Sequence, residues 1–166
     1  MHKHLRRLEE VWIEQPIYFV TVCAKNRRPI LARNNIAKIL EEEWHSAHKR
    51  HGWLVGRYVI MPDHTHFFCT PEHEAKPLSQ FVGAWKRWTS RRIHELTVAT
   101  TDDRGLRTTS PATTSVWQRE FFDHVLRSAE SYGEKWDYVR DNPLRAGLVL
   151  SRDDWPYAGE IKQLEF

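Results

Sequence analysis

The chain has little cysteine, no long apolar run and almost no excess charge of either sign. Its two cysteines, Cys23 and Cys69, stand in apolar runs without C-x-x-C spacing. They are typical of buried thiols in a reducing compartment and exclude a disulfide scaffold. No apolar run approaches the ~20 residues of a membrane span, and the N-terminal MHKHLRRLEE lacks the apolar centre of a signal peptide. We therefore expect a soluble, cytoplasmic protein.

What is present is typical of one globular domain. The 166 residues are 40% hydrophobic and 12% aromatic, without internal repeats, so we expect a single domain over 1–166. The net charge of +3 gives nucleic-acid binding only weak support. Eight tryptophans, many beside Arg or Lys, suit an aromatic core with a cationic edge, or a surface that stacks on bases.

Hydrophobic periodicity predicts the element order β-α-β-β-α-β-α. The predicted strands are 17–24, 53–60, 64–69 and 121–127, and the predicted helices begin near 34, 78 and 128, the last ending at Pro143. The Thr/Ser-rich segment 97–115 is predicted to be a long loop. This order predicts an α+β fold with a ferredoxin-like, RRM-like antiparallel sheet, helices on one face, and an added C-terminal helix.

The six residues MPDHTH at 61–66 place two histidines one residue apart at the start of a predicted strand. Residues i and i+2 of a strand share a face, so His64 and His66 converge as two ligands of one cation would. The intervening Thr65 points to the other face. H-x-H is equally compatible with solvent-facing or hydrogen-bonded histidines, and a metal site needs a third ligand.

The last predicted helix offers that ligand. Tyr132, Trp136 and Val139 form its apolar stripe, whereas Tyr138 lies about 200° from Trp136 at 100° per residue. Asn142 follows Tyr138 by one turn on the same face. Two imidazoles and an amide oxygen would leave open positions on Mg²⁺ or Mn²⁺ for phosphate oxygens and water. A tyrosine hydroxyl attacking a phosphodiester there would form a covalent phosphotyrosine.

MPDHTH resembles the HUH motif (His-hydrophobic-His) of single-strand DNA endonucleases that use a tyrosine nucleophile. NRRPIL, GRYVIMPDHTHFF, WKRWTSRRI, WQREFFDHVLR, DYVRDNPLRAGLV and DWPYAG together are similar to the REP-associated tyrosine transposases, over about residues 13–158. The resemblance implies that His64 and His66 bind Mg²⁺ or Mn²⁺. It implies Tyr138 of D-Y-x-x-x-N-P as the nucleophile and Asn142 as the amide ligand.

The same resemblance implies the substrate. These transposases act on single-stranded REP hairpins, which they cleave and rejoin through a 5′-phosphotyrosine, and their relatives include both monomers and dimers. Two features depart from the pattern: Thr65 is less apolar than the usual central residue, and the 97–115 segment is longer than expected. The family also keeps an acid-histidine pair at Asp123 and His124, for which a metal ligand, a DNA contact and a buried hydrogen-bonding pair all stay open.

Basic residues are the expected DNA contacts. The predicted helix places Lys86, Arg87 and Arg91 opposite its apolar stripe and Arg92 near the edge, whereas Trp85 and Trp88 are expected in the core. Beside an HUH site these cations are expected to bind phosphates. Phosphate contacts contribute affinity and salt dependence rather than sequence specificity. Further candidates are Arg27 and Arg28, after the first strand, and Arg140 and Arg145, flanking Asn142.

Two other functions compete with this hypothesis. A catalytically silent module that binds hairpin nucleic acid would share the RRM-like sheet, although the third strand lacks the aromatic pattern of that class. A metal-dependent phosphodiesterase that uses water would not need Tyr138.

Overall fold

The computed structural model describes residues 16–101 and 115–166 of the chain. Five strands lie within these ranges: β1 (Ile17–Cys23), β2 (Trp53–Ile60), β3 (His64–Pro71), β4 (Phe122–Leu126) and β5 (Ala158–Glu160). The helices are α1 (Asn34–His51), α2 (Leu78–Thr101), α3 (Ala129–Arg140) and the short α4 (Asn142–Arg145). The predicted α+β fold is confirmed.

The strands form one antiparallel sheet in the order β4-β1-β3-β2-β5. The hairpin of β2 and β3 turns through residues 61–63, as MPD predicted. The edge strand β5 was not predicted, because its three residues are too short to show a period. It pairs with β2, with Gly159 opposite Tyr58.

One face of the sheet packs against α1 and α2 around an aromatic core. Trp44 of α1 and Trp85 of α2 stack at 5.3 Å with an interplanar angle of 4°. Phe67 of β3 packs against both indoles. Because neighbouring strand residues point to opposite faces, Thr65, Phe67 and Cys69 all belong to this face, and each is 0% exposed.

The other face of the sheet is covered by α3. Phe19 and Phe68 of the sheet form a second cluster with Tyr132 and Val139 of this helix. The expectation that all helices lie on one face is therefore wrong. The physical reason is that β1 and β3 are apolar at successive positions, so both faces need cover.

Two predicted helix ends also differ. The helix α2 continues to Thr101, and within it the Thr97 hydroxyl donates to the His94 carbonyl at 2.8 Å. Residues 102–114 of the predicted loop lie outside the described ranges. Pro143 does not simply end a helix; it lies in the first turn of α4, where its missing N–H costs nothing. No helix in the described ranges is long and apolar enough to cross a membrane.

Lys86 holds the segment before β4 against α2 by hydrogen bonds. Its side chain is buried, 8% exposed, and Nζ donates to the carbonyls of Gln118, Arg119 and Glu120 at 2.9, 3.0 and 3.2 Å. Burial lowers the pKa of the ammonium, partly opposed by the charge of Glu120. All three N–H groups are therefore used inside the protein.

We expect Lys86→Met to lower the free energy of unfolding by about 2 kcal/mol, because three backbone carbonyls lose hydrogen bonds from a charged, buried donor. Arg87→Met, at the exposed neighbouring position, should change it by less than about 0.5 kcal/mol. Urea unfolding of both variants measures the difference, and equal effects would show that the carbonyl contacts contribute nothing.

Candidate active site

The predicted histidine pair opens β3 on the face that α3 covers. His64 and His66 are both half-buried, and their ring centroids lie 4.8 Å apart at 80°. Thr65 points the other way and donates its hydroxyl to the Val59 carbonyl at 3.1 Å. The shared face of the two imidazoles and the opposite direction of Thr65 follow from strand alternation, as expected.

His64 is oriented by an acid and an arginine. Its Nδ1 lies 2.7 Å from Asp63 Oδ1, and Asp63 Oδ2 pairs with Arg27 Nε at 2.9 Å. Burial alone would raise the pKa of the Asp63 carboxyl, but the hydrogen bond from His64 and the charges of His64 and Arg27 bring it below its ordinary value. An ionised Asp63 accepts from Nδ1–H, which leaves Nε2 as the nitrogen available to a ligand.

His66 is oriented by its neighbours on β1. Thr21 Oγ1 lies 2.8 Å from His66 Nδ1, and the Phe19 ring stacks on the imidazole at 5.2 Å. Burial, and after it the nearby positive charges of His64, Lys135, Arg145 and Arg27, lower the pKa of His66 to about 3. The ring is therefore neutral at physiological pH, the form that binds a metal.

The helix α3 brings Tyr138 to the same face of the sheet. Tyr132 and Trp136 pack on Phe68 at 4.9 and 6.3 Å, whereas Tyr138 is 62% exposed. The predicted stripe and the off-stripe position of Tyr138 are confirmed. Lys135 links the helix to the histidines, since its Nζ lies 4.6 Å from the Phe19 ring centroid and 5.7 Å from that of Tyr138.

Asn142 and Tyr138 are joined by Arg145. The Arg145 guanidinium lies 4.2 Å from the centre of the Tyr138 ring and donates to Asn142 Oδ1. The amide, the phenol and this cation therefore form one group at the start of α4. Within the described ranges, no three His, Cys, Asp or Glu side chains are grouped for a metal ion.

Most of the chain matches a known protein family. A family model described as "Transposase IS200 like" matches residues 13–141. The chain belongs to the IS200-like transposase family.

Individual relatives agree with the expected resemblance to REP-associated tyrosine transposases. The chain is 25% identical over 148 residues to the REP-associated tyrosine transposase of Escherichia coli (strain K12), covering 89% of this chain and 78% of that protein. A solved structure of a REP-associated tyrosine transposase bound to a REP hairpin aligns with a TM-score of 0.63 and 23% identity, over 88% of this chain and 77% of that one. That structure supports the fold of this IS200-like transposase.

Several predicted DNA-binding residues of this transposase are engaged inside the protein. Lys86, predicted as a phosphate contact, is 8% exposed and donates its ammonium to three carbonyls. Arg92 joins α2 to α1 by pairing with Glu42, and with Glu43 at 3.1 Å. The burial of Glu43 explains this pairing, since a buried carboxylate needs a partner. Arg27 holds Asp63, so its first role is to orient His64.

Other cations of this transposase stay at the surface. Arg28, Arg87 and Arg91 are exposed, although Arg91 pairs with Glu95 at 3.3 Å. Arg140 contacts Asp153 at 3.3 Å, and Arg145 belongs to the Tyr138 group. Trp85 is buried as expected, whereas Trp88 is 42% exposed and is wrong as a core residue, with the Arg50 guanidinium over its ring at 4.9 Å.

A basic groove runs between α2 and the segment before β4. Its volume is about 790 Å³, and Lys25, Arg87, Arg91 and Arg119 contribute cations to its lining. Ser90 and the buried Trp117 lie among them. This groove is on the α2 side of the sheet, and Lys25 follows the end of β1 where Cys23 pairs with His64. The groove and the histidine pair thus share one end of the sheet.

Asp123 and His124 point to opposite faces of β4, as their spacing predicted. His124 pairs in register with Phe19, so it shares the face of His66, whereas Asp123 pairs with Val20. Both are exposed. The alternative of a buried hydrogen-bonding pair is therefore wrong.

Sequence reasoning missed three residues of the site. Asp63 stands beside a predicted ligand inside MPDHTH, and a carboxylate there is a recognisable partner for a histidine. Lys135 precedes Tyr138 by three residues, which is about one helical turn. No local sequence pattern identifies Thr21 as a site residue, because only the register of β1 against β3 brings it to His66.

The low pKa of His66 predicts an acid-sensitive fold. Between pH 6.5 and about 3 the unfolded chain binds a proton that native His66 excludes, so stability is lost as the pH falls through that window. The loss is about 1.4 kcal/mol per pH unit. The free energy of unfolding in EDTA should therefore be about 2 to 3 kcal/mol lower at pH 4.5 than at pH 7 because of His66. His66→Gln should flatten that part of the pH profile. His45→Gln, at an exposed position of α1, should leave the pH profile of stability unchanged. A His66→Gln profile with the wild-type slope would show that His66 does not cause the acid sensitivity.

Proposed function

We propose that this IS200-like transposase is a metal-dependent single-strand DNA endonuclease and strand transferase. It would cleave and rejoin REP-type hairpin DNA through a 5′-phosphotyrosine. The observation that carries the proposal is the chain of contacts from His64 and His66 through Phe19 and Lys135 to Tyr138. It puts an imidazole pair and an exposed phenol on one face of the sheet.

The histidine pair fits a divalent cation. Nδ1 of each ring is already used, by Asp63 and by Thr21, and within the described ranges neither Nε2 has a protein partner. This is the arrangement in which a carboxylate or hydroxyl orients a metal-binding imidazole. Mg²⁺ or Mn²⁺ held by His64, His66 and Asn142 would neutralise phosphate charge and polarise the scissile bond.

The residues of the chain divide the reaction between them. Tyr138 Oη attacks the phosphorus, its proton passes to solvent, and the bond from phosphorus to the 3′-oxygen breaks. The 3′-oxygen leaves with the bonding electrons and takes up a proton, so the products are a 5′-phosphotyrosine and a free 3′-hydroxyl. Attack by a 3′-hydroxyl on the phosphotyrosine reverses these changes and rejoins the strand. Arg145 steadies the Tyr138 ring and the Asn142 amide during both steps.

The REP hairpin is proposed as the substrate because of the relatives. The Escherichia coli relative is a REP-associated tyrosine transposase, and a solved REP-associated tyrosine transposase is bound to a REP hairpin. The basic groove supplies the charge such a partner needs. Its exposed cations, Arg87, Arg91 and Arg119, can meet phosphates, whereas the ammonium of Lys86 in the same lining is used by three carbonyls.

Tyr138→Phe should abolish the covalent DNA adduct, because it removes the attacking oxygen. Labelled REP-like hairpin with a single-stranded flank is incubated with Mn²⁺ and resolved by denaturing electrophoresis. Tyr157→Phe, which removes a hydroxyl bonded instead to Asn34 at 2.9 Å, should form the adduct as the wild type does.

The same gel separates the rival functions. Strand cleavage that survives Tyr138→Phe without an adduct identifies a phosphodiesterase that uses water. Hairpin binding that is unchanged by EDTA, with no cleavage by the wild type in Mg²⁺ or Mn²⁺, identifies a silent binding module.

Replacing Arg87 and Arg119 together by Gln should weaken hairpin binding and its salt dependence. Loss of two phosphate contacts lowers the slope of log K against log salt by about 1.5 to 2. Fluorescence anisotropy over a salt series measures the slope. Lys49→Gln, at an exposed position of α1 outside the groove, is the matched control. A slope equal to that of the wild type in the double variant would remove the groove from the DNA interface.

A further inference from the structure

Lys135 is a cation that, within the described ranges, has no acidic partner at the centre of the candidate active site. It is half-buried on α3, about one turn before Tyr138. Its Nζ lies 4.6 Å from the centre of the Phe19 ring and 5.7 Å from that of Tyr138. Phe19 in turn stacks on His66. The ammonium therefore lies near both the Tyr138 ring and the Phe19 ring that stacks on His66.

Lys86, a buried cation of the protein, is held by oxygen atoms, because it donates to three carbonyls. In the part of the chain that the structure describes, Lys135 makes no hydrogen bond or ion pair, only the two aromatic contacts. An ammonium on aromatic faces keeps its N–H groups available, and a phosphate oxygen is a stronger partner than a ring.

We infer that Lys135 binds a non-bridging oxygen of the scissile phosphate and stabilises the negative charge that develops there as Tyr138 attacks. The inference rests on the proposed function and deepens it by adding a catalytic residue. A phosphodiester attacked by Tyr138 would lie beside the phenol, whose ring centre is 5.7 Å from Nζ. A fixed cation aimed at developing charge lowers the barrier without reorganisation.

The bond changes decide which oxygen Lys135 can reach. The bond from Tyr138 Oη to phosphorus forms while the bond to the 3′-oxygen breaks, and the attacking and leaving oxygens lie roughly in line. Lys135 lies beside the ring of the nucleophile, so it is on the attacking side of the phosphorus. The leaving 3′-oxygen departs on the far side and takes its proton from water, and Lys135 keeps all of its protons.

The test compares the wild type with Lys135→Gln, Lys135→Arg and Lys162→Gln, which changes an exposed lysine near β5. Single-turnover formation of the covalent adduct on REP-like hairpin DNA in Mn²⁺ is the first readout. Lys135→Gln should be about 100-fold slower, the usual loss for one donor to developing charge. Lys135→Arg should form the adduct at a rate within about 10-fold of the wild-type rate. Lys162→Gln should form it at the wild-type rate.

A second readout needs no cleavage and separates substrate contact from helix packing. In a Tyr138→Phe background, hairpins with a phosphodiester or an uncharged methylphosphonate at the scissile position are titrated in Mn²⁺. The loss of affinity on removing the phosphate charge should be about 5-fold larger for the protein that keeps Lys135 than for the protein with Lys135→Gln. A packing role alone predicts the same loss for both proteins.

The outcomes are distinguishable. Wild-type adduct formation with an unaffected Lys135→Gln rate overturns this inference and leaves the proposed function standing. Equal methylphosphonate penalties in the two backgrounds also overturn it. No adduct with the wild type overturns the proposed function, and this inference with it.

Discussion

Strand β3 has two covered faces, and the rest of the molecule depends on this constraint. Its odd-numbered residues, Thr65 to Cys69, are sealed under α1 and α2, while Phe68 packs under α3. His64 and His66 share the face of Phe68 but stand toward the end of the strand, where both rings stay half-buried. The same alternation that builds the aromatic core therefore sets two imidazoles side by side, and a one-residue slip would exchange them with Thr65.

Neighbouring side chains hold each imidazole in one orientation. Asp63 and Thr21 take one nitrogen of each ring, and Phe19 stacks on the second ring. A site held in this way loses little entropy when a ligand enters, because the rings already have one orientation. The other groups of the proposed chemistry, a phenol and an ammonium, come instead from α3, which rests on the sheet through Tyr132, Trp136 and Val139.

Adjacent cations of α2 illustrate how burial decides what a side chain does. Lys86 and Arg87 are neighbours in sequence and both line the groove, yet Lys86 is buried with its ammonium on three backbone carbonyls and Arg87 is exposed. Arg92, one turn after Trp88, is drawn to the buried Glu43 of α1. The helix α2 thus carries some cations that are engaged inside the protein and others that are exposed. Only the exposed cations can exchange water for phosphate oxygens.

The sequence by itself determined the order of β1 to β4 and of the three long helices, the common face of His64 and His66, and the off-stripe position of Tyr138. Each of these depends on a local period of two or 3.6 residues. The resemblance in its motifs also predicted the transposase family. Tertiary structure decided which face α3 covers, that Thr21 meets His66, that Lys86 and Arg92 turn inward, and that Lys135 lies between Tyr138 and Phe19. These are contacts between separate elements of the fold, set by sheet register and by which charges are buried, and no local pattern encodes them.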